Sequence, residues 1–357
     1  MVSVFLSDGG GRGARYVGMI ITIEQFSTVQ RPRRRTRALG AVMRALAVVG
    51  TAFAVLAAGA CAGPADQDAE VSVVATTTIL GDVAGQVVEC GGGTVQTLMP
   101  VGADPHDYAP ASTDVQEMVA ADLVVANGLG LEEGLASALE AAQEDGANVI
   151  EVAELVNPLP LVAEDPDALA DDGHELSLDP HVWLDVARMA DAAELIGAQL
   201  AELTGDDAYI SCGEDAAADL QAVDDEVRAV LAAVPPERRV LITDHRAFGY
   251  FSEAYDFEVA GVVVPGGSTL GEPSSAHLAE LVTVIEETGV TAIFGNVAED
   301  SELLTALAAE TGKDIETVEL YVGSVGPEGS GAEDYSSMML ENARRIADAL
   351  TPQEDGA

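Results

Sequence analysis

The chain of 357 residues is longer than a single hydrophobic core usually supports, so two domains are expected. Its 48% hydrophobic content excludes a disordered chain, despite a formal net charge of −45. Nucleic-acid binding is excluded as well, because it needs clustered Lys and Arg, and beyond residue 60 only eight basic residues face 59 acidic ones. The scattered acidic excess indicates solubility in a salty habitat rather than a mechanism.

Residues 1–60 have the composition of an export signal. Eight arginines precede an apolar run, 45–60, which ends in small residues directly before Cys61. The run has about 16 residues, short of the ~20 that a bilayer-spanning helix needs. We therefore predict cleavage and lipidation at Cys61, with the protein anchored to the outer face of the cell membrane. Residues 1–30 lack signal character, which suggests an upstream start-codon assignment, and residues 61–70 form a tether.

From residue 71 onward, strand-like and helix-like segments alternate, which predicts a parallel sheet covered by helices on both faces. We assign residues 71–205 to an N-terminal α/β lobe. Its predicted strands are 71–77, 95–98, 123–126 and 148–152, and its predicted helices are 80–88, 114–120 (capped by Ser112 or Thr113), 133–142 and 186–203.

The acidic, proline-containing segment 158–179, which carries His174, interrupts the alternation and predicts a mobile loop. Residues 206–236 are assigned to a linking helix, which runs from about 208 to 234 and is long enough to join two bodies. A C-terminal α/β lobe, 237–351, follows. Its predicted strands are 240–243, 258–264, 291–294 and 315–321, and its predicted helices are 248–255, 274–288, 301–311 and 335–350.

Two cysteines, Cys90 and Cys212, remain beyond Cys61. Outside the cytoplasm such a pair is able to form a disulfide, but sequence spacing alone does not establish contact. A disulfide and two free thiols therefore both stay open, and no Cys-rich motif supports a metal role.

Three of the five histidines lie in distinctive motifs, Asp104-Pro105-His106, Asp179-Pro180-His181 and Asp244-His245. His106 and His245 follow predicted strands, and ligands of such sheets bind beyond the carboxyl ends of strands. Imidazoles that converge from separate loops suit a borderline metal such as zinc. The other two, His174 and His277, are predicted to lie in the acidic loop and on an exposed helix face.

The neighbours of these histidines support the same interpretation. The two prolines fix the backbone before His106 and His181, and Trp183 and Phe248 are expected to exclude water. Nearby carboxylates are candidates to accept a hydrogen bond from the second ring nitrogen of each histidine. The candidates are Asp104, Asp107, Asp179, Asp185 and Asp244. Which carboxylate binds which histidine is left open.

The order of these motifs, with 74–79, 102–108, 121–128, 179–185 and 329–335 around them, resembles the metal-binding lipoproteins of zinc and manganese ABC importers, the cluster A-I solute-binding proteins, across 71–350. The resemblance implies two α/β lobes joined by a rigid helix, and a metal in the cleft between them. It implies His106, His181 and His245 as ligands, ABC permease subunits as partners, and a monomer. Family members also carry a cell-adhesion label.

The resemblance further implies Zn²⁺ rather than Mn²⁺, since manganese-favouring members commonly have Glu where this chain has His245. The family's fourth ligand, an Asp, is replaced by Gly323, which leaves a water, Glu328 or the Glu175 loop as alternatives. Asn296 stands where relatives often have Glu, and the segment 158–179 stands in place of a His-rich loop.

Three alternative functions stay open from the sequence. They are a manganese receptor of the same family, a three-His zinc hydrolase or hydratase, and a surface adhesin. The enzyme lacks a recognisable general base or nucleophile motif, and an adhesin has no need of converging histidines.

Overall fold

A computed structural model describes residues 70–161, 177–298 and 302–351. The predicted signal, the lipidation site Cys61, most of the tether and His174 lie outside the described residues. Within them, no helix combines the length and apolarity needed to cross a membrane.

The first four strands form one parallel sheet. They are β1 (Ser72–Ala75), β2 (Thr94–Thr97), β3 (Leu123–Ala126) and β4 (Val149–Glu151), in the order β2-β1-β3-β4. The central strand β3 is wholly buried, as is typical of parallel strands covered on both faces. The associated helices are α1 (Thr78–Cys90), α2 (Ser112–Ala120), α3 (Ala136–Glu144), α4 (Val152–Leu155) and α5 (Val186–Thr204).

The second half repeats this arrangement, with a parallel sheet in the order β6-β5-β7-β8. Its strands are β5 (Val240–Thr243), β6 (Glu258–Val262), β7 (Ala292–Asn296) and β8 (Glu316–Leu320). The long helix α6 (Ala208–Leu231) precedes it, and α7 (Gly249–Tyr255), α8 (Ser275–Thr288), α9 (Glu302–Glu310) and α10 (Tyr335–Leu350) cover it. The predicted fold class, two α/β lobes with parallel sheets, is confirmed.

Helix α6 contacts both lobes, since it packs on α1 and α5 of the first and on α10 of the second. Its buried face includes Cys212, whose sulfur is bonded to that of Cys90 at the end of α1; the two Cα atoms are 5.8 Å apart. The structure therefore has a disulfide where the sequence left pairing open, and it ties α6 to the first lobe.

Several local predictions need correction, among them the start of α3, which lies at Ala136 and not at residue 133. Helix α2 begins earlier than expected: Ala111 is its N-terminal cap residue, and the Asp114 carboxylate accepts a hydrogen bond from the Ala111 N–H at 2.9 Å, so neither Ser112 nor Thr113 caps it. The short helix α4 was not predicted, because four residues carry too little periodicity. Helix α6 ends at Leu231, before the predicted residue 234.

Candidate metal centre

Three imidazoles from three separate loops meet at the carboxyl ends of the strands. The Nε2 atom of His181 lies 3.3 Å from Nε2 of His106 and 3.3 Å from Nε2 of His245. Ligand atoms of all three side chains lie within 4.8 Å of one another, and all three residues are buried. Two nitrogens about 2.05 Å from one ion at the tetrahedral angle are about 3.3 Å apart, so these separations fit a zinc-sized site.

Asp179 fixes the orientation of the His181 ring. Its Oδ1 atom accepts hydrogen bonds from the backbone N–H of His181 at 3.0 Å and from Nδ1 of the ring at 2.8 Å. A ring whose Nδ1 carries the proton has its lone pair on Nε2. The free lone pair of His181 is thereby directed at the other two histidines.

Asp244 does the same for His245. Its Oδ1 atom accepts from the backbone N–H at 2.7 Å and from Nδ1 at 2.9 Å. Two lone pairs thus face each other across 3.3 Å, which is unfavourable unless a cation lies between them. Convergence of unprotonated nitrogens is the chemistry of a metal site.

His106 is held differently. Asp104 Oδ1 accepts its backbone N–H at 3.0 Å, but the buried Nδ1 of the His106 ring has no hydrogen-bond partner among the described residues. The backbone turn therefore positions this ring, whereas a carboxylate orients each of the other two.

Burial favours the neutral form of two of the three rings. Burial, and then the neighbouring His181 and His245 rings, lowers the pKa of His106 from 6.5 to about 3. Burial also lowers the pKa of His181, although the hydrogen bond to Asp179 opposes that shift. Neutral imidazole is the form that binds a metal, so both shifts favour ligation near neutral pH.

Other predicted neighbours have different roles. Trp183 packs on His181 with ring centroids 5.2 Å apart, while Phe248 is buried against Phe251. Asp185, which the sequence offered as an acceptor for a histidine ring, binds other partners. It caps α5 by accepting the Ala187 N–H at 3.0 Å, and it pairs with Arg188 at 3.0 Å.

His277 is half-buried rather than exposed, which corrects the prediction. Its Nε2 atom lies 2.8 Å from the carbonyl oxygen of Val262, at the end of β6. The ring fastens α8 to the sheet and stands outside the three-histidine cluster.

Two buried residues that the sequence did not single out support the loop of His181. The Asn127 side chain donates to the carbonyl oxygen of Pro180 at 2.9 Å, and Glu132 accepts the Asn127 N–H at 2.7 Å and the Thr76 hydroxyl at 2.7 Å. Burial raises the pKa of Glu132. Asn127 lies in the segment 121–128 and Glu132 lies just beyond it. Only the fold brings the Asn127 side chain to the Pro180 carbonyl.

No fourth side chain of the metal-binding kind joins the cluster in the part of the chain that the structure describes. Glu328 is exposed, and Glu175 lies outside the described residues. At Gly323 an added Cβ would lie 2.7 Å from Cδ of Pro105 and 3.4 Å from its Cγ. Glycine is therefore required there by the close approach of the turn that carries His106, and replacing it by Asp would displace that turn.

Two α/β lobes with three converging imidazoles between them are the arrangement of a solute-binding protein for a metal ion. Residues 73–349 match the family model described as zinc-uptake complex component A, periplasmic. The chain belongs to this family, whose members bind solutes and are not enzymes, so the hydrolase and hydratase alternatives are set aside.

Its relatives include proteins named for two different metals. The chain is 31% identical over 304 residues to the manganese-binding lipoprotein MntA of Halalkalibacterium halodurans, covering 84% of this chain and 96% of that protein. It is 29% identical over 289 residues to the zinc-binding protein TroA of Treponema pallidum, covering 79% of this chain and 90% of that protein.

The fold is similar to solved structures. The periplasmic zinc-binding protein TroA of Treponema pallidum has a TM-score of 0.69 and 29% identity, covering 79% of this chain and 100% of that chain. A cadmium-bound periplasmic metal-binding protein from Candidatus Liberibacter asiaticus has a TM-score of 0.66 at 22% identity, a likeness of fold alone.

Proposed function

We propose that the protein captures Zn²⁺ outside the cytoplasm with His106, His181 and His245 and delivers it to the permease of an ABC importer. The observation that carries this proposal is the pair of 3.3 Å separations between Nε2 atoms, which suits a tetrahedral ion. With three imidazoles and no carboxylate among the described residues of the cluster, the donor set favours zinc over manganese. A solvent molecule completes the fourth position.

The proposed domain organisation of the protein is the one predicted from the sequence. Residues 1–60 are a lipoprotein signal, Cys61 carries the lipid, 61–70 tether the receptor, and 71–205 and 237–351 are the lobes joined by 206–236. The lipid keeps the receptor at the outer face of the membrane, where it meets the permease. The family description as a periplasmic component and the lipoprotein names of relatives support this location.

Metal analysis tests the choice of ion. We expect the protein purified without added metal to contain zinc at about one equivalent, and Mn²⁺ to bind at least about 100-fold more weakly, because hard ions prefer oxygen ligands. Manganese is the second candidate, since MntA is named for manganese. If the purified protein contains manganese and not zinc, it is a manganese receptor and the proposal for zinc fails.

The affinity for zinc is expected to depend less steeply on pH than that of a site made of three ordinary imidazoles. Three ordinary imidazoles with pKa near 6.5 would all be protonated below that pH, and log K would then fall by nearly 3 per pH unit. Because the pKa of His106 is lowered to about 3, this ring stays neutral there, and burial lowers the pKa of His181 as well, so we expect a slope of at most about 2 between pH 6 and 5. Isothermal titration at several pH values measures it. A slope near 3 would contradict the buried, neutral cluster.

A further inference from the structure

We propose that Thr269 is a positioning residue that couples closure of the two lobes to the placement of His106. The inference rests on the proposed capture of a metal between the lobes. It concerns a residue outside the histidine motifs, on the loop 265–273 between β6 and α8, here called the strap.

The Asp104 carboxylate is shared between the lobes. Its Oδ1 atom accepts the backbone N–H of His106 at 3.0 Å, within the first lobe. Its Oδ2 atom accepts the hydroxyl of Thr269, from the second lobe, at 2.5 Å. The carboxylate that shapes the turn at His106 is therefore held from the opposite lobe.

The other end of the strap is anchored beside another histidine of the cluster. The backbone N–H of Arg246, which follows His245, donates to the carbonyl oxygen of Gly266 at 3.1 Å. The strap thus extends from the neighbour of His245 to the carboxylate that holds His106. It connects imidazoles that belong to different lobes.

The strap also packs on the first lobe. A Cβ added to Gly267 would lie 3.0 Å from Cδ2 of Leu161, so the strap backbone lies against that side chain. Both contacts, to Asp104 and to Leu161, join residues of different lobes, so a separation of the lobes would break them.

His106 is the histidine most sensitive to this coupling. Asp179 and Asp244 bind the rings of their own histidines directly, within their own motifs. The His106 ring has no such bond, so its position depends on the turn that Asp104 and Thr269 hold. A hydrogen bond to a charged group is among the stronger ones in proteins, and this one joins the two lobes.

The test compares three variants of the full-length protein. Thr269→Val keeps the shape and removes the hydroxyl, Thr269→Ser keeps the hydroxyl, and Ser268→Ala alters a neighbour whose hydroxyl accepts the Leu270 N–H within the strap. We expect zinc to dissociate about tenfold faster from Thr269→Val, a factor that corresponds to about 1.4 kcal/mol. Thr269→Ser and Ser268→Ala should release zinc at the wild-type rate.

A second measurement does not require metal binding. Spin labels at the exposed positions Glu140 and Glu287, one on each lobe, report the distance between the lobes in metal-free protein. We expect Thr269→Val to lengthen or broaden that distribution and Thr269→Ser to leave it unchanged.

The outcomes separate the two proposals. If the wild type fails to bind zinc, the proposed function fails, and the distance measurement alone decides on Thr269. If the wild type binds zinc while Thr269→Val matches it in release rate and in lobe distance, the coupling is overturned and the function stands. Equal acceleration by Ser268→Ala would also overturn it, since the effect would then belong to the strap in general.

Discussion

Replacing His181 with alanine is expected to abolish tight zinc binding, lowering the affinity by at least about 1,000-fold. His181 is the central imidazole, with Nε2 3.3 Å from both partners, so its loss leaves two ligands that no longer share a common neighbour. Altering a group behind a ligand typically costs 10- to 100-fold in affinity, and removing the ligand itself costs more. Competition with a chromophoric chelator measures the change.

His277→Ala is the matched control, since it removes a half-buried imidazole whose Nε2 atom is bonded outside the three-histidine cluster. This variant should lose some thermal stability and keep wild-type zinc affinity. Undiminished affinity in His181→Ala would refute the assignment of the site, because no other ligand cluster occurs in the described ranges. The zinc affinity of Asp179→Asn is expected to lie between those of His181→Ala and His277→Ala. The change weakens the hold on the His181 ring but leaves the ligand in place.

Removing the disulfide is expected to lower the free energy of unfolding by about 4 to 5 kcal/mol. Cys90 and Cys212 are 122 residues apart in sequence, and a cross-link over so long a loop restricts the unfolded chain strongly. The double variant with both cysteines replaced by serine, unfolded in urea, measures the loss. An unchanged free energy of unfolding would mean that the bond adds only strain or that the unfolded chain is already compact.

Zinc binding should survive in that double variant. The disulfide joins the last residue of α1 to α6, and α1 runs back from the carboxyl edge of the sheet, where the histidines lie. Ser211→Ala, a change at the exposed neighbour on α6, is the control and should alter neither property. A loss of zinc affinity without a loss of stability would place the role of the bond in the site rather than in the fold.

Local pattern was enough to predict most of the elements. The bounds of β3, β5 and α10 agree with the sequence prediction, because their apolar runs or amphipathic spacing end at clear signals such as the Asp334 cap of α10. Errors arose where a particular side-chain contact decides. The start of α2 depends on the Asp114 carboxylate, which also accepts the Tyr108 hydroxyl at 2.8 Å. The partial burial of the His277 side chain depends on its contact with the Val262 carbonyl.

The sequence by itself was enough to predict the fold class and the family and to single out the three histidines, since each of these predictions rests on motifs whose own residues are close together in the chain. Only the tertiary structure decided which carboxylate serves which ring, that Asp185 serves none, and that Gly323 is required by Pro105. It also decided the partners of Asp104, because Thr269 is 165 residues away. The reason is physical: a hydrogen bond or a close approach depends on atoms that meet after folding, and sequence spacing does not encode those distances.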